Sequence, residues 1–192
     1  MSARRWAAGL AIVAALVGTA AIVATSPDDE ELTAPFLIEG GIGDTVTGRH
    51  LAAVVESVGL TEYLDVRYRE AGDTSTDGVW VVVETVLTTQ LAPLSLNQAQ
   101  LWIGDVHYRV SDILPSPSAV DLSYGPDIPQ HGALVFEIPR AALDDPGASR
   151  ASIALLHTID ARLDSVPVVV VDLTGLDVTA RERIDAPTVV EQ

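Results

Sequence analysis

The chain has 192 residues, 11 basic and 27 acidic, for a net charge of −16; every basic residue is arginine and there is no cysteine. That charge opposes a phosphate backbone, so nucleic-acid binding is excluded. The missing thiols exclude disulfide frameworks, thiolate nucleophiles, zinc–cysteine sites and lipoprotein acylation, and a hydrophobic content of 48% argues against global disorder.

The first element in chain order is an uncharged run of twenty residues, 6–25 (WAAGLAIVAALVGTAAIVAT). As a helix it is about 30 Å long, the thickness of one hydrocarbon core. Arg4 and Arg5 precede it, and Asp28, Asp29, Glu30 and Glu31 follow. The positive-inside rule then puts residues 1–5 in the cytoplasm and everything after the span outside. The length favours a retained signal anchor over a cleaved signal peptide. Small residues at Gly18-Thr19-Ala20 and Ala24-Thr25-Ser26 leave cleavage and secretion as the alternative. Export without any disulfide suits a bacterial envelope, and the arginine-only usage suits a GC-rich genome. Without Arg4 and Arg5 the exported part carries a charge of −18.

Residues 26–43 read as an acidic stalk with Pro27, Pro35 and three glycines; its one apolar patch, Phe36-Leu37-Ile38, is suited to dock as a first strand. Strand signals follow at 51–60, 79–89, 101–103, 106–108, 133–138, 152–156 and 168–173, rich in valine and threonine. Val81-Val82-Val83 is apolar on both faces and predicts a central strand. Gly104-Asp105 between two short runs predicts a type II′ hairpin. Prolines at 93, 115, 117, 126, 129, 139, 146 and 167 fall between the runs. Helical signals are confined to single turns at 140–145 and 97–100. Residues 176–192 read as a flexible tail. About seven short strands with turns between them predict an all-β, immunoglobulin-like antiparallel β-sandwich over 44–175, behind one transmembrane helix. A β-barrel is the alternative.

The order of features also carries a resemblance. Gly43-Asp44-Thr45-Val46 opens into a strand ending Val54-Val55-Glu56-Ser57-Val58. A valine-rich strand from Trp80 to Val86 and a hairpin over 101–110 follow. Then come Pro129, Gly132 and Leu134-Val135-Phe136-Glu137-Ile138-Pro139, and a last valine-rich strand. This resembles the bacterial immunoglobulin-like domain of unknown function found in surface lipoproteins and anchored proteins, the "immunoprotective extracellular" type, over about residues 40–175. Thr88-Thr89-Gln90 and Gln130 depart from its usual loop residues. The resemblance implies an extracytoplasmic, non-enzymatic domain and carries over no functional residue.

Motifs for chemistry are sparse. Asp73, Ser75 and Asp77, with Gly78 and Glu84, reproduce the spacing of an EF-hand calcium loop. Flanking helices are missing, and residues 79–83 make the best strand of the chain. The segment therefore reads as a polar hairpin loop; Asp73, Ser75 and Asp77 are the residues for a weaker calcium site of another kind. His50, His107, His131 and His157 show no metal-ligand spacing. There is no G-x-S-x-G motif, Asp144-Asp145 reads as a solvated turn, and Gly41-Ile42-Gly43 is no dinucleotide loop. Trp80, Trp102 and Phe136 read as core, Trp102 becoming an interface candidate if it faces outward.

The reading is a single-pass, N-in membrane protein whose partners are the bilayer, through residues 6–25, and another envelope protein bound by the exported domain. No enzyme activity, cofactor or metal is expected. A cation- or ligand-sensing exported domain using the Asp73–Asp77 segment is the alternative.

Overall fold

The computed structural model describes residues 15–19, 33–68 and 72–190. Residues 15–19 are helical, and the rest of the expected span at 6–25 lies outside the described residues. Among the described residues no helix is long and apolar enough to cross a membrane.

In chain order the strands are β1 (Phe36–Gly40), β2 (Thr45–Thr47), β3 (Leu51–Val66), β4 (Gly72–Thr89), β5 (Leu94–Ser95), β6 (Gln98–Ile103) and β7 (Val106–Arg109). They continue with β8 (Ser123–Tyr124), β9 (Gln130–Ile138), β10 (Ala151–Leu156), β11 (Ser165–Val171), β12 (Val178–Thr179), β13 (Glu182–Ile184) and β14 (Thr188–Val189). One sheet runs β1-β11-β10-β6-β7 and the other β12-β3-β4-β9-β14, with β2 and β13 also paired to β3. The two sheets face each other across a core that joins Val81, Val83 and Phe136 of one to Leu101, Ile153 and Val169 of the other. This is the predicted β-sandwich. The contacts group residues 35–192 into one unit and residues 1–34 into another.

β4 is central, as the valine run predicts, because both faces of its sheet are covered. Val81 and Val83 enter the main core; Trp80 and Val82 enter a second cluster with Leu64, Val66, Ala133, Val135 and Ile184. The second cluster depends on a fold-back. Leu64 pairs in register with Thr74, far along the β3–β4 ladder from Val82 and Val135. For Leu64 and Val66 to pack on those valines, the distal arm of the hairpin must bend over the outer face of its own sheet. Register shifts at Val55/Ser57 and Thr61/Tyr63 supply the bend.

Several expectations change. The stalk ends sooner, since β1 pairs in parallel with β11 from Phe36↔Ser165 to Gly40↔Val169. The 176–192 tail is not frayed along its length: β12 and β13 pair with β3 and β14 with β9, because Ile184 is fully buried against the second cluster. Residues 98–100 enter β6 instead of a helical turn. Pro167 lies inside β11, one residue before the β10 ladder begins at Val168, where a missing N–H is tolerated. The turn at Arg140–Asp144 is a 3-10 helix, and Gly104 takes the positive φ (+55°) at the first loop position of the predicted hairpin.

Candidate interaction site

The residues singled out for calcium do not form a loop. Asp73 and Ser75 stand in the β3–β4 ladder opposite Asp65 and Tyr63, and Asp77 follows in the irregular stretch before Val79. Serine and threonine between two aspartates satisfy an exposed strand as well as a turn, so the polar composition concealed the ladder. Positions 73 and 77 of an extended strand lie about 13 Å apart, so the three residues do not wrap around one ion as a calcium loop does. Among the described residues no group of three or more His, Asp or Glu is placed to hold a metal.

Trp102 does face outward. It is half-buried on the outer side of the first sheet, stacked on His107 with ring centroids 5.0 Å apart, and its Nε1 donates to Gln100 Oε1 at 2.8 Å. Trp80 and Phe136 are core residues.

Sequence spacing gave no hint that His50 and His157 meet. Their rings lie 4.6 Å apart, and both face Asp164, at 4.0 Å from His50 Nε2 and 3.1 Å from His157 Nδ1. Three segments converge at this corner. Arg49 N donates to Ser165 Oγ at 2.6 Å, Ser165 N to Asp164 Oδ1 at 2.9 Å, and Phe36 N to the Asp164 carbonyl at 2.8 Å. The last bond seats the start of β1. Asn97 Nδ2 donates to the His157 carbonyl. Within the adjoining loop Arg162 grips Asp160, whose carboxyl is held down to about 2 by the hydrogen bonds from the guanidinium and backbone of Arg162.

β1 is an edge strand. Phe36 N points at Asp164, so by strand alternation Ile38 and Gly40 turn their N–H groups to β11 while Leu37 and Glu39 turn theirs outward. Phe36, Leu37 and Ile38 are exposed, as is Ile42 just beyond. Natural edges are usually blunted by charge, shortness or proline. The opposite edge, β7, carries His107 and Arg109, and β14 is two residues long. β1 has one charge, Glu39, which Arg150 pairs at 3.1 Å.

A second polar cluster lies on the outer face of the other sheet. His131 Nε2 is 3.2 Å from Glu84 and 3.4 Å from Glu56, the residue displaced at the first bulge. Burial pushes the Glu84 carboxyl above its ordinary value. His131 opposes the shift, and Glu182, Glu56 and Asp185 add to it.

No family model and no curated protein matches the chain. Three solved structures align with much of the chain at low identity. A β-sandwich protein of Clostridium difficile 630, described as uncharacterized, is 11% identical with a TM-score of 0.47, covering 74% of this chain and 99% of that one. The secreted protein MPT63 of Mycobacterium tuberculosis is 12% identical with a TM-score of 0.48, covering 71% and 98%. The yjhA protein of Bacillus subtilis is 14% identical with a TM-score of 0.42, covering 67% and 98%. The class that the fold defines is the all-β sandwich.

Proposed function

We propose that the chain is a non-enzymatic binding domain of the bacterial envelope. Residues 6–25 hold it as a single-pass anchor with the N-terminus inside, and the sandwich works on the outer side. Its partner is another envelope or membrane protein that adds an extended segment to the free edge of β1. One observation carries this reading: β1 keeps an apolar, almost uncharged edge where edges are usually protected. Main-chain hydrogen bonds to Leu37 and Glu39 would supply affinity. The apolar side chains of Phe36 to Ile38 would supply area, and the acidity of the domain favours a basic rim on the partner. The resemblance to the immunoprotective extracellular type agrees with an outer location and no catalysis.

The test places a photo-crosslinking residue at Leu37 of the full-length protein in its native membrane. One discrete adduct with an envelope protein is expected. Glu39→Pro removes an outward N–H without touching the ladder to β11, and should cut capture at least tenfold while leaving the melting temperature in place. Capture that ignores Glu39→Pro eliminates strand addition at this edge. The intact mass of the same sample reports whether residues 1–25 remain.

A further inference from the structure

We propose that the end of the sandwich where β1 begins rests on the lipid bilayer, with its loop tips at headgroup depth. The inference rests on the anchor reading above and goes beyond it, because it assigns a membrane contact to the folded domain itself. Pairing defines this end. It collects the start of β1, the β2–β3 turn at 48–50, the end of β4, the start of β9, the 157–164 loop and the end of β14. The His50–His157 contact and the Arg49–Ser165 bond join the two sheets here.

The five most exposed large apolar side chains of residues 35–190 all lie at this end. They are Ile159 (86%), Leu91 (69%), Phe36 (62%), Val189 (60%) and Leu163 (58%). Single exposed apolar residues are ordinary on any surface; five gathered from four separate segments at one end make a patch, which marks an interaction surface. The tips are also held in place. Arg162 locks onto Asp160 beside Ile159, Asp164 N donates to the Ala161 carbonyl, and Val190 N donates to the Pro129 carbonyl. Leu163 adopts φ +58°, a left-handed conformation that a leucine rarely takes. Strain retained to display an exposed leucine fits a surface with a use.

Connectivity selects lipid as the occupant. In a chain of net charge −16, this end sets Arg49 and Arg162 beside Asp127, Asp160 and Asp164, one net negative charge with the histidines neutral, and the acidic run from Asp28 to Glu31 adjoins it in sequence. The contact therefore rests on the apolar tips and not on attraction to anionic headgroups. Residues 1–34 join the domain at this end through β1. The ten residues between 25 and 36 reach at most about 36 Å when extended, which keeps the tips within range of a bilayer that holds 6–25.

Because the chain has no cysteine, single labels are clean. Ile159→Cys, Leu91→Cys and, at the opposite end of the first sheet, Asp105→Cys are each made in the full-length protein. Each carries an environment-sensitive dye and is reconstituted into vesicles of phosphatidylcholine and phosphatidylglycerol. The expected result is blue-shifted emission, quenched by spin-labelled lipid, at 159 and 91 and not at 105. Adding Leu91→Asp to the 159-labelled protein should reduce that shift. Water-like emission at 159 and 91 from protein that floats with the vesicles overturns the inference and leaves the anchor standing. A blue shift that lipid does not quench also overturns it, in favour of a second copy or another protein. Protein that fails to float overturns the anchor and this inference with it.

Discussion

Glu84 is a carboxylate that the fold holds at a cost. Its value is raised in the folded protein, chiefly by burial. A raised carboxyl contributes stability below its unfolded value, near about 4.3, and that contribution is lost as pH climbs through the folded value. At pH 7 ionised Glu84 therefore opposes folding. Glu84→Gln should raise the unfolding free energy from urea titration at pH 7, by less than about 1 kcal/mol, and give no such gain at about pH 3.5. Gly78 shows the opposite kind of constraint. A Cβ there would overlap the Ile138 carbonyl oxygen, which is backbone and cannot swing away. Gly78→Ala is expected to cost more than about 2 kcal/mol in denaturant titration. Gly59 has nothing within 4 Å of such a Cβ, so Gly59→Ala should stay within about 0.5 kcal/mol.

Among the elements, the strands with strong local chemistry were legible in the sequence. The run Val81-Val82-Val83 announced a strand covered on both faces, and Gly104-Asp105 announced its hairpin. Elements whose stability comes from distant partners were not. Nothing local to Glu182-Arg183-Ile184 reports that Ile184 closes the outer-face cluster, and nothing in Asp73-Thr74-Ser75 separates an exposed strand from a turn. The meeting of His50 with His157 depends on two sheets packing together, and the patch at that end depends on where four separate segments finish; neither leaves a spacing to read. The last of these elements can be tested directly. Ile184→Ala deletes a fully buried side chain of β13, where it pairs with the bent arm, and should cost about 2–4 kcal/mol in urea titration. A frayed tail would show no change.

At the scale of the whole molecule, 27 acidic groups against 11 arginines make self-repulsion a general load on the folded state. Screening relieves it. Raising sodium chloride from about 20 to about 300 mM shortens the Debye length and should lift the melting temperature by about 2–4 °C. Calcium chloride at matched ionic strength should add nothing further, because residues 73, 75 and 77 are spread along strand β4 and not around a loop. An extra rise with calcium would reinstate a cation-sensing role. The parallel pairing of β1 with β11 also sets an order of events during synthesis. Ile38 finds its partner at Pro167, 129 positions later. At about 5–20 residues per second the first strand waits roughly 6–26 s for the strand that seats it. Through that interval Phe36, Leu37 and Ile38 travel unpaired. A late strand completes the first one, and a nascent chain cut short before residue 165 would leave that first strand open to whatever is nearby.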